Sequence, residues 1–528
     1  MSQYGILNDI LGTRSGVPHT KLPKALMSSE SRWVHYWRNA VRRMPGRSTA
    51  LEGVQTPDGN PIINHFRHVS LAGTEYLFVF TKAHIYWWDQ SNEEFDVMFT
   101  CASDCTRWSV ADMGQFIVAT NDIDKVQYWD DDSPSSLFTN LGGANGIEYA
   151  TGKFLTKAKY VIRHYNYIHL LSTTEDGTSY PYVDRWSDLG DVESWDQDGA
   201  GDANYRDLDK SVSIRGAGIY EVQGANQLIV FTDSLINAAY LTEDNNVYAS
   251  SNILVGTGCL SDKSIVKTPD GHLWYLSLEV MSGTVDVRRV YDPNSYSYDI
   301  SPTLTSMHPT LRDFACGAYV GLYKEIWWCV PGDNDSTAND TVLSISAITI
   351  GWNPIATMDI QSFGFYTQQT NTYINDLTDF INDLTDPINS YGSVAGNPII
   401  LTSDADGYTW SLASGVQDKG VDYTGELVLA SDFGQGQLIN RNKRLHGMYV
   451  FLETKQGTSY TVTASVREGD VGEYTNIGNI TLNGNGKTVR GYIRYNTRLR
   501  DGHFKFAATN DFDFLGVVFD FDITGVRL

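Results

Sequence analysis

The sequence predicts an all-β protein, with a β-propeller-like body over residues 46–425, a C-terminal β-sandwich-like domain over 426–528 and a basic N-terminal arm over 1–45. Three observations carry this prediction. Aromatics are 12% of the 528 residues, with 31 Tyr and 13 Trp beside 47 Gly, a pairing suited to many short strands joined by tight turns. Aromatic strands that end in acids or turn residues recur along the chain. Helical periodicity is scarce.

The N-terminal arm is distinguished by charge. Residues 1–50 hold eight basic residues (Arg14, Lys21, Lys24, Arg32, Arg38, Arg42, Arg43 and Arg47) against Asp9 and Glu30, so the rest of this −24 chain carries −30. So acidic a body repels phosphates, because nucleic-acid binding depends on clustered Lys and Arg. Within the arm, Met27–Met44 reads either as a short basic helix capped by Ser28 or Ser29 or as an extended segment.

In the body the repeat is one of shape. "HIYWWD" at His84, "VQYWDDD" at Val126, "NYIHLLSTTEDG" at Asn166, "QLIVFTDS" at Gln227, "HLWYLSLE" at His272, "EIWWCVPGD" at Glu325 and "GYTWSLASG" at Gly407 succeed one another, mostly at about forty to sixty residues. That is the length of one four-stranded propeller blade. Between them, segments such as "EYLFVFT" (Glu75–Thr81) and "GQFIVATND" (Gly114–Asp122) predict antiparallel hairpins with one half-buried face.

Three segments interrupt this pattern. Thr173–Lys210 holds eleven acids against three bases and reads as a solvated loop, or as a surface that repels DNA or collects cations. Thr372–Tyr391 repeats "INDLTD" at seven residues, with Ile374, Leu377, Ile381 and Leu384 spaced as on a helix, and reads as an exposed insertion within about 370–395. "SDADGYTWSLASG" (Ser403–Gly415) invites a calcium loop, but Thr402 and Ala413 stand where that loop needs carboxylates. A sialidase-type box fails at Ala405, where it needs aspartate. What survives is a turn at Asp404–Gly407, a strand at Tyr408–Leu412 and a second turn near Gly415. Beyond about Glu426 the alternating segments lengthen, as expected of a β-sandwich of about 100 residues.

Other chemistries find little support. No apolar run approaches the roughly 20 residues that span a bilayer, and the N-terminus lacks the pattern of a signal peptide, so a soluble, unexported protein is expected. Cys101, Cys105, Cys259, Cys316 and Cys329 form no framework and read as reduced thiols. Cys101 and Cys105 could supply two zinc ligands, but no second pair follows at a useful spacing. Gly486, Lys487 and Thr488 suggest a phosphate loop, yet Thr481 occupies the position of its first glycine, and "NGNGK" (Asn483–Lys487) reads as a hairpin turn. No nucleophile elbow and no H-E-x-x-H occurs, and nothing in the spacing of the many carboxylates selects a glycosidase pair about 5 to 10 Å apart. No catalytic, cofactor-binding or metal-ligating residue stands out, and the expected class is a non-enzyme without cofactors.

The order of features resembles the β-propeller tail-hub or nozzle proteins of short-tailed bacteriophages and their head-to-tail stabilising relatives. The resemblance rests on "RRMPGRSTAL", "QYWDDDSPSSLFTNLGG", "YNYIHLLST" and "SDLGDVESWDQDGAGDANYRDL". It continues through "NQLIVFTDSLINAAYL", "VGTGCLSDKSIVKTPDGHLWYLSLE", "DADGYTWSLASG" and "DFDITGVRL". It implies a structural virion protein assembled in the host cytoplasm, a homo-oligomeric ring with a hexamer favoured, placed between portal or adaptor and the distal tail or fibre proteins. DNA would pass non-specifically through such a ring, and the basic arm would clamp an acidic neighbour. The alternative is a glycan-binding or glycan-cleaving propeller, with "IYWWD" and "EIWWCV" as candidate sugar platforms.

Overall fold

The computed structural model describes residues 3–7, 12–14, 26–28, 30–37, 40–71, 73–130, 136–242, 247–367, 398–412, 417–431, 442–453, 459–468, 472–484, 487–499, 502–509 and 513–525. The insertion at Thr372–Tyr391 and the turn expected near Gly415 lie outside them. Strands dominate, and the one α-helix among the described residues is Ser301–Ser306. The all-β class is therefore correct. The chain forms two compact units that are not sequential: unit one is Met1–Ser48, Gly256–Asp359 and Ala413–Leu528, and unit two is Thr49–Val255 with Ile360–Leu412.

Unit two is a series of small antiparallel meanders. Sheet I comprises Asn64–Val69, Glu75–Phe80, His84–Asp89 and Glu94–Thr100; sheet II comprises Ser109–Asp112, Phe116–Thr120, Gln127–Asp130 and Thr139–Asn140. Sheet III has five strands, Ile147–Ala150, Lys153–His164, Tyr167–Glu175, Thr178–Trp186 and Asn204–Asp207. Sheet IV has Ile214–Val222, Ala225–Thr232, Leu235–Leu241 and Tyr248–Val255. Ser362–Tyr366, Ile399–Ser403 and Thr409–Leu412 pair in that order at the end of the unit.

Apolar clusters lie between successive sheets. Phe78 and Phe80 of sheet I meet Ile117 and Trp129 of sheet II, Val118 of sheet II meets Leu155 and Ile168 of sheet III, and Leu171 and Trp186 of sheet III meet Leu228 and Val230 of sheet IV. On its other side sheet I packs Leu77 and Val79 against Tyr366 and Leu401. The single half-buried face expected for "EYLFVFT" is thus corrected: from Tyr76 to Phe80 both faces of the strand are buried. A strand enclosed on both sides reads as a continuous apolar run, which explains a sequence with so little polar alternation.

Three buried indoles each find a backbone acceptor, since a buried N–H needs one. Trp108 donates to Thr81 O at 2.9 Å, Trp129 to Ser136 O at 3.0 Å and Trp195 to Val192 O at 2.7 Å.

Unit one contains two further small sheets and a larger pair. Leu273–Glu279 pairs with Thr257–Cys259, Val266–Lys267 and Val285–Arg289. Cys316–Val320, Glu325–Val330, Thr341–Ser346 and Ala356–Thr357 form a meander that shares an apolar cluster with it, including Trp274, Trp328 and Trp352. The larger pair comprises sheet A (Val34–Trp37, Ala40–Arg43, Asp513–Gly525, Asn442–Glu453 and Thr488–Leu499, with Gln3–Leu7 on Asp513–Gly525) and sheet B (Gly425–Ser431, Gly502–Ala508, Ser459–Glu468 and Thr475–Asn483). Their inner faces share one core containing Val34, Val41, Leu427, Met448, Val462, Phe504 and Phe519.

Two local expectations change here. Within Met27–Met44, where a helix or an extended segment was open, strands form: Val34–Trp37 and Ala40–Arg43 pair with each other, and Val34 and Val41 enter the shared core. Arg42 pairs with Asp513, Arg43 with Tyr423 O, and Arg47 holds both oxygens of Asp418 at 2.6 and 3.0 Å, so these cations are used within the unit. The strands flanking "NGNGK" belong to sheets B and A, so this connection crosses between sheets and is not a hairpin turn.

Candidate functional site

The acidic segment Thr173–Lys210 is built into sheet III and is not one loop. Its first turn, Asp176-Gly177, joins Glu175 to Thr178 with both φ positive, 47° and 79°, the two-residue geometry that Asp-Gly favours. The chain then runs through Thr178–Trp186, crosses 187–203 and returns as Asn204–Asp207. Trp195 and Val192, both buried, anchor the crossing, and Asp188 accepts from Ser194 Oγ at 2.5 Å and from Ala203 N at 2.7 Å.

Inside this segment the charges sort by direction. Asp184 is fully buried, takes Arg206 Nε at 2.8 Å and lies 2.8 Å from His169 Nδ1. Burial alone would raise its pKa, but His169 and Arg206 outweigh that effect and hold the carboxyl below its ordinary value. Glu175 accepts Arg185 as a fork, at 3.1 and 3.0 Å, and Thr173 Oγ1 at 2.8 Å. The Arg185 guanidinium also lies 4.0 Å from the centre of the Tyr149 ring.

Two of the three bases are therefore committed to the two buried acids. Asp191, Glu193, Asp196 and Asp198 remain exposed, and no cation among the described residues lies within ion-pair distance of them. Cations turned inward and carboxylates turned outward make this surface more negative than the sequence count suggests. It can exclude phosphates or attract a cationic partner. The sequence reading missed the inward pairs. Their only signal is an Arg beside an Asp within a strand (Asp184, Arg185), whose side chains point to opposite faces.

Next to this network, His164 meets Tyr248 Oη and Asn226 Oδ1, each at 3.0 Å. Burial, and then the nearby His169, lower its pKa to about 4. His164 and His169 are 1% and 0% exposed, so neither ring is open to a substrate.

The other sequence candidates take structural places. Trp327 and Trp328 of "EIWWCV" are fully buried, as are Tyr86 and Trp88 of "IYWWD", while Trp87 is half-buried against the cluster between sheets I and II. Neither motif offers a sugar platform. Cys101 is held protonated by its neighbour Cys105 and by burial, and none of the five cysteines is joined in a disulfide. Among the described residues no group of three or more His, Cys, Asp or Glu is placed to hold a metal ion. No helix among them is long and apolar enough to cross a membrane.

"SDADGYTW" forms the expected turn. Asp404, 2% exposed, accepts from Asp406 N at 3.1 Å, Tyr408 N at 3.0 Å and Trp410 Nε1 at 2.8 Å. Gly407 has φ 83°, and a Cβ there would collide with Thr56 Oγ1, so glycine is required twice over. The carboxylate that suggested a ligand instead satisfies the backbone of its own turn.

Comparison with known proteins finds no protein-family model that matches the chain and no matching curated protein.

Proposed function

We propose that this chain is a non-enzymatic structural protein of a bacteriophage tail, a hub or nozzle subunit whose copies close into a ring that joins portal and adaptor to the distal tail. The observation that carries this reading is the stack in unit two, where sheets of four or five antiparallel strands follow one another and bury apolar clusters between neighbours. Radially repeated meanders with both faces covered are the pattern of propeller blades, and two sheets sharing one core are that of a sandwich. We therefore read unit two as propeller blades and sheets A and B as the sandwich that the resemblance implies.

The acidic balance of the chain fits the same reading. A conduit for DNA works best where its wall does not bind phosphate, and the chain carries a net charge of −24. Six copies in a ring is the order favoured, with the virion tail as destination and the host cytoplasm as the place of assembly. The glycan-directed reading is less well supported, because its candidate tryptophans are buried.

Electron microscopy of the purified full-length chain tests this reading. Class averages showing a closed ring with a central channel are expected. A monomer that cleaves or captures glycans would overturn it.

A further inference from the structure

The outer face of the edge strand in sheet A is unusual for so acidic a chain. Thr488–Leu499 alternates: Ile493 and Leu499 enter the core, while Arg490, Tyr492, Arg494 and Arg498 are exposed on the opposite face. The nine residues from Arg490 to Arg498 span about 26 Å at strand rise. On the neighbouring strand Arg444 lies opposite Arg498 and donates to Asn496 Oδ1 at 2.8 Å.

This face is organised by packing. Tyr492 and Tyr449 stand opposite one another with ring centres 4.6 Å apart, and the Arg490 guanidinium lies 5.6 Å from the centre of the Tyr449 ring. A Cβ at Gly447 would collide with the Tyr492 hydroxyl, so the glycine gives the tyrosine room to lie along the sheet. Arg490, Arg494 and Arg498 have no carboxylate within ion-pair distance among the described residues. The acids on this face, Asp520 and Asp522, sit one strand further in, where Asp522 lies 2.9 Å from His446 Nε2.

We propose that this arginine–tyrosine face docks on the exposed carboxylates Asp191, Glu193, Asp196 and Asp198 of a second copy of the chain, forming the subunit contact of the ring. The inference rests on the ring reading above. A closed ring requires a heterologous interface, in which two different patches complement one another. Both are present: three arginines on one face and four carboxylates on another, none of them in an ion pair among the described residues. Arginine and tyrosine are the residue types enriched at such contacts, and the guanidinium fork matches a carboxylate. Phosphate is the weaker partner, because Asp520, Asp522 and the overall charge of −24 oppose a polyanion.

The test uses full-length chains carrying Arg490→Gln, Arg494→Gln and Arg498→Gln together, compared with wild type by sedimentation and electron microscopy at low and high salt. Circular dichroism checks that both are folded. The ring fraction at low salt is expected to fall at least tenfold in the triple variant, and in wild type to fall as salt rises. Chains with the three arginines changed to Glu, and chains with Asp191, Glu193, Asp196 and Asp198 changed to Lys, should each fail alone and assemble when mixed. Rings that form equally well in the Gln variant overturn this proposal and leave the ring reading standing. A wild type that never forms rings overturns both. A labelled oligonucleotide that binds wild type and not the variant, with assembly unchanged, assigns the face to nucleic acid and overturns the docking claim.

Discussion

Glu75–Phe80 in unit two and Thr488–Leu499 in unit one are both β-strands, yet they follow opposite rules. From Tyr76 to Phe80 every side chain is buried, because apolar clusters cover both faces. Along Thr488–Leu499 burial alternates, because only one face meets the core, and the free face carries arginine and tyrosine. A strand enclosed by neighbours holds the fold together, while a strand with a free face is open to a partner.

The largest effects are expected in the enclosed regions. Changing Asp184 to Ala leaves Arg206 and His169 facing a buried gap, and a loss of about 3–5 kcal/mol is expected in denaturant unfolding. Phe78→Ala, in the cluster between sheets I and II, should cost a similar amount, about 3–5 kcal/mol, by emptying an aromatic site. A loss below about 1 kcal/mol for either would mean that these layers are loosely packed.

Acidification gives the next effect. His164 is lowered to about 4 from 6.5, so between those values the unfolded chain takes up a proton that the folded chain refuses. Its contribution is fully present above pH 6.5, declines as pH falls and levels off below about 4, for a total near 3 kcal/mol. Asp184, also lowered, acts in the same direction at lower pH. Unfolding free energies at pH 7 and pH 4.5 should differ less in His164→Gln than in wild type, and equal differences would contradict the burial argument.

Smaller effects sharpen the contrast. Asp404→Ala removes three acceptor contacts from one turn and should cost about 1–3 kcal/mol by thermal unfolding. Tyr492→Ala, on the free face, should change stability by no more than about 1 kcal/mol, and a core-sized loss would show that this face is not a surface.

What could be read in the sequence followed from local chemistry. Asp176-Gly177 and Asp404–Gly407 declare their turns because few other residues take up those backbone conformations. Aromatic and glycine abundance was enough for the all-β class. Long-range pairing was not legible. Nothing local shows that Val34–Trp37 and Ala40–Arg43 join the sheet containing Asp513–Gly525, since that contact closes a loop of several hundred residues. The sorting of charges was hidden for a related reason: Asp184 and Asp191 are the same residue type, and only the position of Arg206 makes one an interior partner and leaves the other outside. In "TVRGYIRYNTRL" the arginines recur at every fourth position, but which side of the strand faces solvent is not legible.

We propose that copies of this chain form a ring on the axis of a bacteriophage tail, and gold-labelled antibody against the chain, imaged on intact particles by electron microscopy, tests that proposal. Label is expected on the tail axis, between the capsid vertex and the distal tail. Label spread over the capsid shell, or particles that carry none, would contradict it.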